Sequence, residues 1–233
     1  MPRLLIATTN PAKLAEYRIL LGEYRILPGD GLEPVSLAEI GVADHPEENG
    51  ASFAENALLK ARFYFALTRM PALADDGGFE IDALGGEPGV KSHRWLGEGH
   101  SDDQALVDEV IRRMCGVAPG RRTARLRAAL ALVYAERGAI RERVAEAALA
   151  GVVPERAWPH IRPGFPYRSV LFLTKNRLEH GAERGRYLAD LSEEQAARLS
   201  QRRIALKELR DDLALIANAQ TVHPARPARD SVR

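Results

Sequence analysis

The stretch "PALADDGGFEIDALGGEPGV", residues 71–90, limits the fold more than any other part of the chain. A short apolar run ends at two adjacent carboxylates, Asp75 and Asp76, which are followed by two glycines, Gly77 and Gly78. Such a run, bounded by turn formers, reads as a buried strand. The carboxylates are then expected at the strand's C-terminal end, where open α/β sheets collect their ligands. Two neighbouring carboxylates repel each other, so at least one needs a cation, a proton or a basic neighbour. Oxygen-rich sites suit Mg2+, which keeps some of its water and is completed by substrate phosphates. Gly77 and Gly78 leave room for a ligand or for unusual backbone angles. Taken alone, the same residues also describe an Asp-Gly turn between strands.

The N-terminal segment points the same way. Arg3 to Thr9 reads as a short buried strand, and "NPAKLAEYRILL" carries helical spacing through Leu14, Tyr17, Leu20 and Leu21. Thr8, Thr9 and Asn10 are good cap residues, and Pro11 suits a first helical turn. A helix start of this kind can hold a phosphate, with Lys13 adding a full charge one turn in. Taken alone, this segment reads first as an ordinary capped helix with a solvated lysine. A second helix is expected from Ser52, because Glu55 three residues later completes a capping box and Phe53, Ala57, Ala61 and Tyr64 follow at helical spacing. Asn56 and Lys60 share one face of it. Glu47 and Glu48 lie in the polar loop before the cap, where no local structural need is visible.

Composition excludes several alternatives. The chain has 233 residues, 45% of them apolar, enough for one large α/β domain or two lobes. Its formal net charge is +1, so it lacks the global basic field of a nucleic-acid polymer binder. Cys115 is the only cysteine, which leaves no intrachain disulfide and no cysteine-rich metal site. Neither a signal peptide nor a membrane-spanning stretch is evident, and a cytoplasmic protein acting on a small molecule is expected. His93, His100 and His160 fall in no metal-ligand spacing.

Three motifs in order, "ATTNPAK", "FAENALLKA" and "ADDGGFEIDALGGEPGVKSHRW", resemble the inosine triphosphate pyrophosphatase family. The resemblance is strong over residues 3–97 and continues more weakly to about residue 213. It implies an elongated mixed β-sheet flanked by helices, in two lobes with a nucleotide cleft between them, in a homodimer. It implies hydrolysis of a nucleoside triphosphate between the α- and β-phosphates, with Mg2+ as cofactor. On the matching positions, Thr8, Thr9, Asn10 and Lys13 would bind the polyphosphate. Glu48 and Asp76 would hold the metal, Asp76 would activate water, and Asp75 would support the same site. Asn56, Lys60 and Arg94 would make supporting contacts. Gly77 stands where the family often has serine, and Thr9 where glycine is common.

The second half departs further from the pattern. Two antiparallel strands, 125–136 and 141–150, lead to "PGFPYRSVLFL", which resembles the family's "GFGYDP" turn. Gly164, Phe165 and Tyr167 are kept, but Pro166, Arg168 and Ser169 replace glycine, aspartate and proline. The resemblance places this turn at the nucleobase end, with Phe165 stacking on the base; a core phenylalanine is the alternative. "LSEEQAARLSQRRIALKEL" resembles the segment carrying a lysine and a Ser-His-Arg triplet, whose equivalents are Gln195, Ser200, Gln201 and Arg202. Gln195 also completes a capping box with Ser192, and Arg202 with Arg203 could form a solvated helical face. Because Arg168, Gln195 and Gln201 alter the donors and acceptors around the base, inosine and xanthosine triphosphates are expected to lose their strong preference. A specialised modified nucleotide, or a nucleotide-binding protein without turnover, are the alternative functions. A further helix is expected to be capped by Ser101 with Gln104 closing the box. The domain should span 1–217, with 218–233 a mobile tail.

Overall fold

The computed structural model describes residues 2–22, 31–97, 102–174 and 185–219. Strand β1 (Arg3–Ala7) leads into helix α1 (Pro11–Gly22), followed by β2 (Glu33–Ser36), α2 (Phe53–Thr68) and β3 (Ala72–Ile81). Then come α3 (Asp103–Arg113), the long strands β4 (Thr123–Glu136) and β5 (Ala139–Val152), and two short strands, β6 (Phe172–Leu173) and β7 (Arg186–Tyr187). Helices α4 (Glu193–Leu199), α5 (Gln201–Glu208) and α6 (Arg210–Ala219) close the described chain.

The seven strands form one mixed sheet in the order β2-β1-β3-β4-β5-β6-β7. β1 runs parallel to both β2 and β3, and the pairs from β3 onward are antiparallel. The expected mixed α/β architecture is therefore present. Alternation along the strands sorts their side chains onto two faces. Leu4, Ile6, Leu73, Leu130 and Leu132 pack with Tyr17 and Leu20 of α1 and with Leu206, Leu213 and Ile216 of α5 and α6. Leu5, Ala7, Ala72, Ala74, Ala129 and Ala131 pack on the other face against Phe53, Ala57, Ala61 and Tyr64 of α2. The alanines on that face let α2 approach closely. A third cluster, built on Phe79, Ile81, Leu106, Val110, Tyr167 and Leu171, joins the far half of β3 to α3 and the 3-10 turn Pro166–Val170.

This order places strand partners on both sides of β1, with α1 and α2 on opposite faces, and a crevice opens beyond the C-terminal end of such a strand. β3 stays paired with β1 only as far as Ala74 but remains paired with β4 to Ile81. Asp75 and Asp76 thus lie beside the end of β1, but inside a strand that continues to Ile81 rather than at the expected place, their own strand's C-terminal end. Other boundaries differ too, with β4 starting two residues earlier than expected and β5 extending two residues further at each end. β1 stops at Ala7. α3 is capped by Asp102, whose side chain accepts from the Gln104 N–H, while Ser101 lies outside the described residues. α6 continues to Ala219, past the expected domain end at 217, and residues 220–233 of the expected tail lie outside the description, as does His100.

Candidate active site

The loop from Thr8 to Asn10 follows directly from β1 and starts α1. Asn10 caps the helix, its Oδ1 accepting from the N–H groups of Ala12 at 2.9 Å and Lys13 at 3.2 Å. Its Nδ2 donates to the Gly164 carbonyl at 3.3 Å, tying the helix start to the turn before Phe165. Gly164 has φ of +79°, and a Cβ there would sit 3.0 Å from Asn10 Oδ1, so glycine suits both the turn and the contact. Beside this loop lies a cavity of about 480 Å³ whose wall includes Thr8, Thr9, Lys13, Glu48, Lys60 and Asp76. Asn10, Asn56, Asp75 and Arg94 complete the set of phosphate-end residues that the motifs single out, and all of them line it. His45, which no pattern marks, lines it too, as do Tyr64, read only as part of the spacing of α2, and His93, which lies in the third motif without an assigned role.

The two aspartates diverge because neighbouring strand residues face opposite ways. Asp76 points to the α2 side. There the Lys60 ammonium lies 3.6 Å from Asp76 Oδ1 and 2.9 Å from Glu48 Oε2. Asn56 is buried and fixes the approach to α2, its Oδ1 accepting from the Gly50 N–H at 2.8 Å. Burial holds the Asp76 carboxyl above its ordinary range; Lys60, Lys13 and hydrogen bonding by the Asn56 amide pull it down, and Glu48 pushes it up. Its Oδ2 is buried and has no hydrogen-bond partner among the described residues.

Asp75 points to the α1 side and does not join Glu48 and Asp76 as a supporting member of a metal site. Its Oδ1 is 2.5 Å from Lys13 Nζ, and its Oδ2 accepts from Tyr17 at 2.7 Å and from Arg202 Nε at 2.5 Å. Burial would raise this carboxyl, but Arg202 and Lys13 hold it well below the usual carboxylate range. Lys13 itself is lowered by burial, against the pull of Asp75. One aspartate therefore anchors both the lysine of the phosphate end and an arginine from the far end of the chain.

Beyond Arg202 the charges continue. Arg202 Nη1 lies 3.3 Å from Glu16 Oε2, which also accepts from Arg168 Nη2 at 2.8 Å. Glu16, Arg168 and Arg202 are each at most 7% exposed, so this is a buried chain of ions, and Arg202 is not part of a solvated face. Motif reading passes over Glu16, although it lies one helical turn from Lys13 and shares its face. The Arg168 guanidinium is centred 3.9 Å from the Phe165 ring, and Arg202 is 5.5 Å from the same ring. Arg168 is thus paired with Glu16 and stacked on Phe165 rather than presenting its donors to an open slot. Gln201 is buried in the same wall, beside Gly77 and Gly78.

Two candidates have other partners. The Tyr167 ring stacks on Phe79 at 5.0 Å and its hydroxyl donates to the Ser92 carbonyl at 2.5 Å, which makes it a core residue. Gln195 is exposed, and its Oε1 accepts from the Ser192 N–H at 3.1 Å in a complete capping box, so its side chain serves α4. Gly77 and Gly78 are required by close packing. A Cβ at Gly77 would strike the Arg127 carbonyl, which explains why serine is absent, and one at Gly78 would strike Ser92 Oγ.

The donor set fits a hard cation. Glu48 and Asp76 converge on one ammonium, and Asp76 keeps an oxygen without a partner. Among the described residues no group of three or more His, Cys, Asp or Glu side chains forms a cage, so substrate phosphates and water would have to complete the shell.

The Ham1 family model matches residues 4–212. The chain belongs to the Ham1 family. Among its relatives, the dITP/XTP pyrophosphatase of Bacillus subtilis is 35% identical over 209 residues, covering 90% of this chain and 96% of that protein. The protein of the same name from Salmonella typhimurium is 35% identical over 214 residues, covering 91% and 98%. A HAM1 protein from Coxiella burnetii superposes with a TM-score of 0.71 at 29% identity, covering 91% of this chain and 98% of that one. The nucleoside-triphosphatase / dITP/XTP pyrophosphatase of Mycobacterium abscessus superposes with a TM-score of 0.62 at 33% identity, covering 89% and 98%. Membership of the Ham1 family agrees with the resemblance carried by the three motifs. Among the described residues, no helix is long and apolar enough to cross a membrane.

Proposed function

We propose that this chain is a hydrolase that cleaves a nucleoside triphosphate of the non-standard purine kind, releasing the monophosphate and pyrophosphate. The relatives' names support the substrate class, and the observation that carries the chemistry is the unpartnered Asp76 oxygen beside a lysine-lined cavity. The phosphates lie between Lys13, Lys60 and the Thr8–Asn10 loop, which neutralise and orient them. Water attacks the α-phosphorus, the bond to the α–β bridging oxygen breaks, and the proton of the water passes to Asp76, whose burial keeps it a competent base. Glu48 and Asp76 would hold Mg2+, which when bound polarises the phosphoryl oxygens and stabilises the charge that develops on them. The reading carries with it a cytoplasmic homodimer of one two-lobed domain over residues 1–217.

A nucleotide-binding protein without turnover is disfavoured, because a carboxylate oxygen left unpaired beside two lysines is of use to chemistry rather than to binding. The test is product analysis with inosine, xanthosine, guanosine, adenosine, cytidine and uridine triphosphates. With Mg2+, one pyrophosphate should appear per nucleoside monophosphate, and chelation by EDTA should abolish it. Release of orthophosphate and diphosphate instead would sink the reading.

A further inference from the structure

We propose that Arg168 is a gate on the base end of the cleft: its guanidinium covers the ring of Phe165 and withdraws, when a base enters, into a cavity beside α1. The inference rests on the nucleotide reading above and concerns how that site opens.

The guanidinium centre stands 3.9 Å from the Phe165 centroid, which is stacking contact, so it occupies the ring face that a flat base would need. The space left against this wall, beside Gly77, Gly78 and Gln201, is about 40 Å³. That holds about one water and not a nucleobase. Of the two guanidiniums near the ring, Arg202 is anchored by both Asp75 and Glu16, whereas Arg168 has Glu16 as its one carboxylate partner among the described residues. Arg168 is therefore the less firmly held of the two.

A place to receive it already exists. On the other side of Phe165 and Arg168 lies a cavity of about 170 Å³, lined by Ala12, Ala15, Glu16 and Ile19 of α1 and by Arg162, whose charge is met by Glu193 at 3.4 Å in the same wall. Glu16 Oε2 holds Arg168 in the closed position at 2.8 Å. Its other oxygen, Oε1, is buried and has no hydrogen-bond partner among the described residues. The arginine can thus exchange one oxygen of the same carboxylate for the other without becoming an unpaired buried charge, a state that would be strongly disfavoured. A protein whose competent state is fractionally populated binds more weakly by that fraction, so a closed gate lowers affinity for every base alike.

The experiment is calorimetric binding of inosine monophosphate and adenosine monophosphate, which needs no turnover. Arg168→Ala and Arg168→Lys should both tighten binding of the two nucleotides by a similar factor, about fivefold or more. Lys keeps a charge for Glu16 but has no flat group to cover the ring, so it guards against misfolding of the alanine variant. Ala15→Leu, on an exposed helical position, should fill the receiving cavity and weaken binding in the wild type but not in the Arg168→Ala background. Unchanged or weaker binding by both Arg168 variants would overturn the gate, as would tightening for one base only or the absence of binding by wild type and variants alike. Loss of pyrophosphate release with the binding pattern intact would instead refute the hydrolase reading and leave the gate standing.

Discussion

Replacing Asp76 by Asn keeps the shape of the side chain while removing its charge and its capacity to take a proton. Its Oδ2 is buried and unpartnered among the described residues, and its Oδ1 lies 3.6 Å from the Lys60 ammonium. We expect kcat of Asp76→Asn to fall by about two orders of magnitude or more, with an unchanged melting temperature. Turnover near the wild-type rate would remove Asp76 from the mechanism. Asp75→Asn should behave in the opposite sense, because that carboxylate balances Lys13 and Arg202 in a buried setting. Leaving two buried cations without their shared anion should cost about 3–5 kcal/mol in a denaturant titration. A cost below about 1 kcal/mol would mean that the network is not what holds α1 and α5 to the sheet. Residue by residue, the pair "DD" announced charge but not its division. That division comes from the two-residue repeat of a strand that runs on past the pair.

Helix α2 carries Asn56 and Lys60 to the site, and its start was readable locally: Ser52 accepts from the Glu55 N–H at 3.1 Å, as the spacing of the two residues requires. Ser52→Ala should lower stability by about 1 kcal/mol without altering the product formed, as thermal unfolding and product analysis would reveal. The 3-10 turn Gly89–Arg94 is a different kind of element. Ser92 in it accepts from the Phe79 N–H at 2.8 Å, donates to the Gly89 carbonyl at 2.6 Å, and offers its own carbonyl to Tyr167. It therefore joins β3, the turn and the Pro166–Val170 segment at a point where a Cβ on Gly78 would collide. Gly78→Ala should destabilise the fold by about 1–3 kcal/mol and, by displacing Arg94 next in the wall, lower kcat/KM as well. A fully stable and fully active Gly78→Ala would show that the turn yields freely. No local pattern marks this junction, since its three parts meet only after the sheet has formed.

At the scale of the molecule, β5 is paired with β4 along its whole length but with β6 only at Val152. Most of its outer edge therefore has no strand partner among the described residues, and Ile140 and Val144 are exposed on it at 59% and 43%. Open edges of this length invite pairing, which supports the proposed homodimer. Light scattering should give twice the mass of the chain, and Ile140→Lys with Val144→Lys should halve it; a monomeric wild type would refute the assembly. The sequence by itself determined the strand–loop–helix at the N-terminus, the capped α2, the β4–β5 pair, and the motif residues that line the larger cavity, because each depends on contacts a few residues apart or on a motif of unbroken spacing. Only the tertiary structure decided the surroundings of Phe165. Glu16, Asp75, Arg168 and Arg202 lie up to 186 residues apart, yet they form one buried chain of ions. What a buried charge does depends on the partner that makes its burial tolerable, and that partner is chosen by the packing of α1, β3 and α5 rather than by neighbours in sequence.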